Sequence, residues 1–512
     1  MTSPDALPRL SLQTLDSAAS SPHRADVRPP AVDPRTTGTG IVHLGVGAFH
    51  RAHQAVFTEE AAAAAGEDRW GILGVTGRSA RVAEQLVPQD GLYGVLTKGR
   101  ESTSLRVIGS MRGAASLVDD SDRVLAAIAA PSTHVVSSTV SEKGYRRSPS
   151  GGPDLANADL AADVAALTTE LSGTAAGGAG DAPARTPIGA LVRGLARRHR
   201  AHGAPLTVVC CDNMMDNGRV IAGLVAGILE SVPGPDAARL RSWVEESVRF
   251  PVTMVDRITP ATTEAHQAEA SALSGWRDEA LVVAEPFMQW VVEDLFAGPR
   301  PHWELVPGAT LTGDVAPYER AKLRMLNGTH STVAYLGALR GHRLIDEAVC
   351  DPEIAGVARR LLDEDVIPTL TAPADLELGR YRDDILERFA NPSTGYTTLQ
   401  VAGDGSQKVP IRLISTIADR LDAGTVPAAA TRAVAAWVVF VARGRDVDGR
   451  ELPLDDPLAD RLREVAAGDD AGLADRMLGV HEVFSEPVRE HDGFRTALRS
   501  EVADLLRTAP AR

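Results

Sequence analysis

A chain of 512 residues with 44% hydrophobic and 24% charged side chains has the balance of a folded globular protein and the length for two to four domains of about 150 residues each. Its 53 basic against 68 acidic residues leave a formal charge of -15, which disfavours nucleic acid and anionic membrane surfaces as partners. Cys210, Cys211 and Cys350 are too few for a disulfide framework, no apolar stretch approaches the roughly 20 residues that span a bilayer, and the start MTSPDALPRLSLQ lacks a secretory signal, so a cytoplasmic location is expected.

Residues 1–37, rich in Ser, Pro, Asp and Thr and without a periodic apolar face, read as a disordered tail, because they offer little apolar surface to offset the entropy of ordering. Gly40-Ile41-Val42-His43-Leu44-Gly45 is a short apolar run ending in glycine, followed by an Ala-rich helical stretch through Ala65. This is strand, turn, helix. The pattern repeats in apolar runs at 70–75, 133–140 and 206–211 and a helical segment at 80–86. The predicted fold class is therefore α/β, a parallel sheet with helices on both faces. The segment SGTAAGGAGDAPAR, 172–185, has no periodicity and reads as a mobile surface insertion. From about Pro317 the apolar period is 3.6, with helices predicted at 318–339, 352–364, 428–442 and 494–506, so the second half is a helical domain.

Gly45-x-Gly47 follows a predicted strand and opens a predicted helix, the setting in which a dinucleotide fingerprint has physical meaning. The first glycine permits a tight turn, the second lets a pyrophosphate approach the backbone, and the helix N-terminus supplies positive potential. The third fingerprint position is His50 and not glycine, and an ordinary strand-to-helix turn would carry the same two glycines. Arg51 and His53 would add charge near a phosphate. His50 and His53, at i and i+3, also read as metal ligands, but with no third ligand nearby no metal is expected. The second strand ends in Thr76-Gly77-Arg78-Ser79, where an acid gripping the adenosine ribose would stand. Arg78 would accept a 2'-phosphate, so NAD and NADP both remain open.

The second half opens with Pro317-Tyr-Glu319-Arg-Ala-Lys322-Leu-Arg-Met-Leu-Asn327-Gly328-Thr-His330. At about 100° per residue Lys322, Asn327 and His330 fall within an arc of about 140°, with Glu319 about 60° beyond Lys322. Gly328 inside a helix costs about 1 kcal/mol relative to Ala, which makes sense where a ligand or another backbone approaches closely. Oxidising a secondary alcohol requires a base within reach of the hydroxyl proton, and a lysine serves if burial depresses its pKa towards neutrality. Lys322 is the candidate base. Neutral amides stabilise a growing oxyanion without titrating, a role suited to Asn327 and to Asn213 at the end of the 206–211 strand, and Glu319 is placed to pass the proton towards solvent. Taken singly, each residue fits ordinary helix packing equally well.

Gly45-Val-Gly47-Ala-Phe49-His50-Arg51-Ala52-His53, Cys211-Asp212-Asn213 with Asn217-Gly218, Phe250-Pro-Val-Thr-Met-Val255-Asp256-Arg257-Ile258-Thr259-Pro260 and Lys322-x4-Asn327-Gly328-x-His330 together resemble the mannitol dehydrogenase family, the zinc-independent, polyol-specific long-chain dehydrogenases/reductases. The resemblance implies a Rossmann-type dinucleotide-binding domain over 38–305, a mostly helical catalytic domain over 306–512, and a site between them that uses NAD or NADP without metal. It implies Lys322 as general base, Asn213 and Asn327 holding the reacting oxygen, His330 orienting the substrate and Glu319 on a proton path. Gly45, Gly47, Phe49, Arg51 and Arg78 would meet the cofactor. Asp256 and Arg257 would border it or, as an ion pair, brace their loop.

Ser141-Glu142-Lys143-Gly144-Tyr145 and Gln400 depart from the mannitol 2-dehydrogenases, in which the first segment resembles Thr-Glu-Gly-Gly-Tyr and an arginine stands at the second position. Both departures are shared with fructuronate reductases (D-mannonate oxidoreductases), which also resemble Asp404-Gly-Ser-Gln-Lys408-Val-Pro-x-Arg412. Lys143, Lys408 and Arg412, with Gln400, then become candidates for binding a substrate carboxylate, although all three cations fit solvated surface charges as well. The expected activity is interconversion of a secondary alcohol and a ketone on an open-chain sugar acid, D-mannonate and D-fructuronate first. The alternatives are a mannitol or arabinitol dehydrogenase and, from another class, a non-catalytic dinucleotide-binding redox sensor, which would have no need of a base.

Overall fold

The computed structural model describes residues 7–17, 27–77, 79–173, 182–373 and 375–508, and the chain divides into two compact units, Met1–Val315 and Ala316–Arg512. Among the described residues no helix is long and apolar enough to cross a membrane.

In the first unit the strands are β1 (Val27–Arg28), β2 (Thr39–Leu44), β3 (Gly71–Thr76), β4 (Tyr93–Lys98), β5 (Thr103–Ile108), β6 (Met111–Ser116), β7 (Val135–Ser138), β8 (Leu206–Cys210), β9 (Val248–Arg249), β10 (Thr253–Asp256), β11 (Val282–Ala284), β12 (Gln289–Glu293) and β13 (Ala309–Thr312). Six form the central sheet in the order β6-β3-β2-β7-β8-β9, every pair parallel. This is the doubly wound Rossmann order. The strand sequence reverses between β2 and β7, the switch point beyond whose carboxyl ends such sheets bind ligands.

Side chains alternate across a strand, and the alternation divides the sheet between two cores. Val42, Leu44, Leu73, Val75, Val136 and Val208 pack with the helices Ser121–Ala129, Pro187–Ala201 and Asn217–Ser231. Ile41, Ile72, Val135 and Val209 face the other way, onto Gln54–Ala65 and the indoles of Trp290 and Trp303. Burying each such aliphatic side chain is worth roughly 1.5–3 kcal/mol, so helices are held on both faces.

Two smaller sheets, β1-β5-β4-β11 and β10-β12-β13, complete the unit. Because β13 pairs in parallel with β12, Trp290 opposite Ala309 through Glu293 opposite Thr312, the first unit runs ten residues past the expected boundary at 305.

The expectation of a disordered tail over 1–37 requires correction over 7–17 and 27–37, while residues 1–6 and 18–26 lie outside the described residues. Leu10 is 1% exposed and packs with Leu92, Val107 and Trp276, Leu12–Ser17 is helical, and β1 adds to β5. Few apolar residues suffice when they complete a core built by the rest of the chain. The 172–185 insertion is also tied down at its far end. Ala184 is buried and donates its N–H to Ser121 Oγ at 2.6 Å, while the N–H groups of Arg185 and Thr186 donate to the Asp163 carboxylate, each at 2.9 Å. Residues 174–181 lie outside the described residues.

The second unit is helical. Its central helix, Ala428–Arg443, is buried nearly all round and packs against Gly328–Leu339 and Asp492–Thr508, as a helix without a polar face must. The predicted 318–339 helix is composite, with Ala316–Ala321 and Gly328–Leu339 joined by a π-helical stretch, Lys322–Asn327. A second π stretch, Leu361–Val366, ends the predicted 352–364 helix, and a third lies at Pro410–Ile414.

Candidate active site

The strand-to-helix turn after β2 has the two glycines in different roles. Gly45 adopts φ +96°, and a Cβ there would lie 2.2 Å from the Thr139 carbonyl, so only glycine fits. A Cβ at Gly47 would meet nothing nearer than the Gly45 carbonyl at 3.8 Å, so the missing side chain leaves open space on the backbone. These positions fit a pyrophosphate drawn close to the main chain at the sheet's switch point.

His50, in place of the third glycine, is buried with its ring stacked on His43, centroids 3.3 Å apart. His43 is held on both ring nitrogens, Nδ1 at 2.8 Å from Ser137 Oγ and Nε2 at 2.8 Å from Thr139 Oγ1. Burial lowers His43 to about 3 and pushes His50 well below its ordinary value, so both imidazoles are neutral packing elements under the turn. His53 Nε2 lies 2.8 Å from the Gln289 carbonyl, and the half-buried ring of Phe49 stacks on His53 at 5.0 Å. Among the described residues no three His, Cys, Asp or Glu side chains form a metal-ligand set.

Two cationic expectations are corrected. Arg51 points inward: Nη1 donates to the Ala280 carbonyl, Nε donates to the Gly47 carbonyl at 3.2 Å, and the guanidinium lies over the Tyr93 ring. It braces the turn from behind and does not face a phosphate. Arg257 likewise donates to the carbonyls of Glu285, at 3.1 and 2.9 Å, and Ala52. Burial lowers it to about 10. It ties the end of β10 to the helix Ala48–Ala52 through backbone acceptors, where a place bordering the cofactor or a loop-bracing ion pair with Asp256 was the expectation. Arg78 lies outside the described residues.

Beyond β8, Asp212 of the Cys211-Asp212-Asn213 motif has a role that its sequence position alone does not show. Its buried carboxylate accepts the N–H groups of Val140 at 3.0 Å and Ser141 at 2.8 Å and the Tyr145 hydroxyl at 2.5 Å. This ties the loop after β7 to the end of β8. Lys143 lies in that loop and Asn213 follows Asp212, both exposed. Asn217 is structural: its amide donates to the carbonyls of Asp212 and Thr253 and accepts the Thr253 N–H. Gly218 admits the backbone of Phe250 and Pro251, whose carbonyls would lie 2.4 Å from a Cβ. Cys210 and Cys211 are buried strand-end thiols, which burial holds far above the ordinary thiol range.

In the second unit Lys322 is 8% and Glu319 7% exposed. The π segment changes the expected geometry. Hydrogen bonding to i+5 widens the turn and brings residues five apart into register, so Lys322 and Asn327 lie closer to one line than the 140° arc of an ideal α-helix allows. Single π turns recur at functional sites for this reason. The close approach anticipated at Gly328 is backbone, since a Cβ there would lie 3.0 Å from the Arg412 carbonyl. The Arg412 guanidinium reaches the same place, Nη1 donating to Ser331 Oγ at 2.9 Å and the Asn327 carbonyl at 3.4 Å, while its Nε is buried without a partner among the described residues. His330 stacks on Phe389 at 4.6 Å and meets Tyr396 edge-on.

Lys408 Nζ donates to the Gly403 carbonyl at 2.6 Å and lies 3.6 Å from Asp404. Burial, reinforced by Arg412, lowers its pKa. Gln400 requires correction. Its Oε1 accepts from Thr397 N at 3.0 Å and Thr397 Oγ1 at 3.1 Å, closing a capping box at the start of Thr398–Ala402. The side chain therefore completes a helix end.

Known proteins resemble the chain over nearly its whole length. The Mannitol dehydrogenase Rossmann domain matches 39–305 and the Mannitol dehydrogenase C-terminal domain 314–506. D-mannonate oxidoreductase of Escherichia coli is 37% identical over 482 residues, 93% of this chain and 95% of that protein. Among solved structures, Pseudomonas fluorescens mannitol 2-dehydrogenase, in a ternary complex with NAD and D-mannitol, is 32% identical with a TM-score of 0.79 over 98% of both chains. D-sorbitol dehydrogenase in substrate-free form is 31% identical with a TM-score of 0.86, covering 98% of this chain and 100% of its own. The parallel sheet, the glycine turn and the Lys322 segment therefore belong to a member of the mannitol dehydrogenase family, an oxidoreductase acting on alcohol groups of polyols or sugar acids.

Proposed function

We propose that the chain is an NAD-dependent reductase of a keto sugar acid, interconverting D-fructuronate and D-mannonate. The observation that carries the reading is Lys322, a buried amine one π turn from Asn327. When bound, the nicotinamide supplies hydride chemistry. In the oxidative direction the neutral amine of Lys322 takes the hydroxyl proton, and in reduction its ammonium returns a proton to the oxygen. The amides of Asn327 and Asn213 donate to that oxygen as negative charge grows, without titrating. Glu319, one helical turn before Lys322, relays the proton, and His330, fixed by Phe389, orients the substrate. Gly45 and Gly47 present the backbone to the pyrophosphate, with Phe49 and Asp256 beside it. Lys143, Lys408 and Arg412 are the carboxylate's partners. The unpartnered Nε of Arg412 and the close spacing of Lys408 and Arg412 on one helical run support this assignment.

A panel reading loss of reduced-nicotinamide absorbance, with NADH and NADPH against fructuronate, tagaturonate and fructose, tests the proposal. Fructuronate with NADH is expected to give the highest kcat/KM. Preference for fructose would establish the polyol reading that the mannitol 2-dehydrogenase likeness favours, and no turnover of any sugar acid or polyol would favour a redox sensor. Lys322→Ala is expected to lower kcat about 10²–10⁴-fold while NADH binding, followed by fluorescence titration, persists.

A further inference from the structure

We propose that Asp212 is the positioning residue of the first unit's substrate end, fixing Lys143 and Asn213 as one rigid piece without itself touching the substrate. The role of Lys143 rests on the sugar-acid reading, whereas that of Asp212 rests on its own bonds. The carboxylate holds the segment bearing Lys143 at both ends, through the Val140 and Ser141 N–H groups before it and the Tyr145 hydroxyl after it. Tyr145 is itself buried, its hydroxyl also 2.7 Å from Ser138 Oγ and 3.2 Å from Cys210 Sγ. Between these anchors the turn Glu142–Tyr145 leaves Lys143 exposed.

The backbone there is not one the residues would choose. Ser141 adopts φ 68° and ψ 157°, and Arg146 φ 54° and ψ 53°, the first a region that glycine alone occupies without strain. Such a conformation persists only where its surroundings impose it, and the Asp212 bonds to Val140 and Ser141 lie at that point. The other side of Asp212 is equally fixed. Its carbonyl accepts the Met214 N–H at 2.8 Å and the Asn217 amide at 3.1 Å, so the backbone on both sides of Asn213 is pinned. A buried carboxylate is costly, since burial raises the Asp212 pKa. The Val140 and Ser141 N–H groups, the Tyr145 hydroxyl and, more weakly, the Cys210 thiol at 3.9 Å converge on it and compensate, and the first three fix the backbone that carries the exposed Lys143.

The test uses the full-length enzyme and whichever of fructuronate, tagaturonate or fructose it turns over. Asp212→Asn puts an NH2 group against backbone donors. It is expected to raise KM about tenfold or more with a smaller fall in kcat, while Tm shows that the protein is folded. On a Lys143→Ala background the same change is expected to add less than about twofold, because residues acting as a unit are not additive. Full multiplication of the two effects, or a lowered Tm with unchanged KM, overturns the proposal. Where Asp212→Asn does not fold, Tyr145→Phe removes one donor only and is expected to raise KM about threefold; an unchanged KM overturns the proposal. Ser141→Gly relieves the strain and is expected to hold Tm while raising KM; an unchanged KM there counts against it. If Lys143→Ala leaves KM unaltered, the sugar-acid role of Lys143 fails and Asp212 is judged on Asn213→Ala: non-additive loss of kcat sustains it, additive loss overturns it.

Discussion

At the residue scale, Gly45 and Gly47 look alike in sequence and differ in what surrounds them. Gly45→Ala forces a side chain into the Thr139 carbonyl at positive φ. It is expected to cost about 2–4 kcal/mol of stability, read as a fall in Tm. Gly47→Ala meets open space, so Tm is expected to hold while NADH affinity, measured by titration, falls about tenfold or more as the added methyl holds the pyrophosphate off the backbone. The His43–His50 stack gives a pH prediction. With a folded pKa near 3 against 6.5 unfolded, His43 binds a proton in the unfolded chain first. The contribution of a neutral His43 is therefore undiminished above about pH 6.5 and is lost at about 1.4 kcal/mol per pH unit as pH falls from there towards 3, with the lowered His50 adding in the same direction. Urea unfolding across pH 4–7 checks this, and His43→Asn is expected to make the slope shallower. Arg51, Arg257 and Gln400 show what residue identity conceals. Sequence displays a cation or an amide, but whether it faces a ligand or a neighbouring carbonyl depends on which backbone acceptors the fold brings within reach.

At the element scale, β2, β3, β7 and β8 were legible because each is centred on apolar residues and is buried along nearly its whole length, as strands covered on both faces are. β4, β5 and β10–β13 were not, since they pair outside the six-stranded parallel core, and neither was β6, an edge strand of that core whose MRGAAS sequence shows no apolar run. The predicted Lys322 helix exists, but its π segment, which packs against the Pro410–Ile414 stretch, has no hydrophobic period of its own. Deleting Leu323 would restore α periodicity, leaving Lys322 and Asn327 four residues and about 40° apart on one face but displaced along the axis by one residue's rise, about 1.5 Å. The helical circular dichroism is expected to persist while kcat falls at least about a hundredfold, and retained turnover would show that the π turn is incidental.

At the scale of the whole molecule, each unit is built by completing cores begun elsewhere in the chain. Leu10→Ala is expected to lower stability by about 2 kcal/mol, seen in Tm, with kcat unchanged; a loose tail would give no change. Composition, period and motif by themselves determined the α/β-then-helical order and the glycine turn, and singled out Lys322, Asn327 and His330 as candidates, because local pattern dictates which face is buried and which backbone must bend. Only the tertiary structure decided that Leu10 and β1 are anchored, that Arg51 and Arg257 brace carbonyls, that Gln400 caps a helix and that Asp212 organises a loop about seventy residues earlier in the chain. Those outcomes depend on hydrogen-bond partners and apolar neighbours distant in sequence, and no local pattern records them.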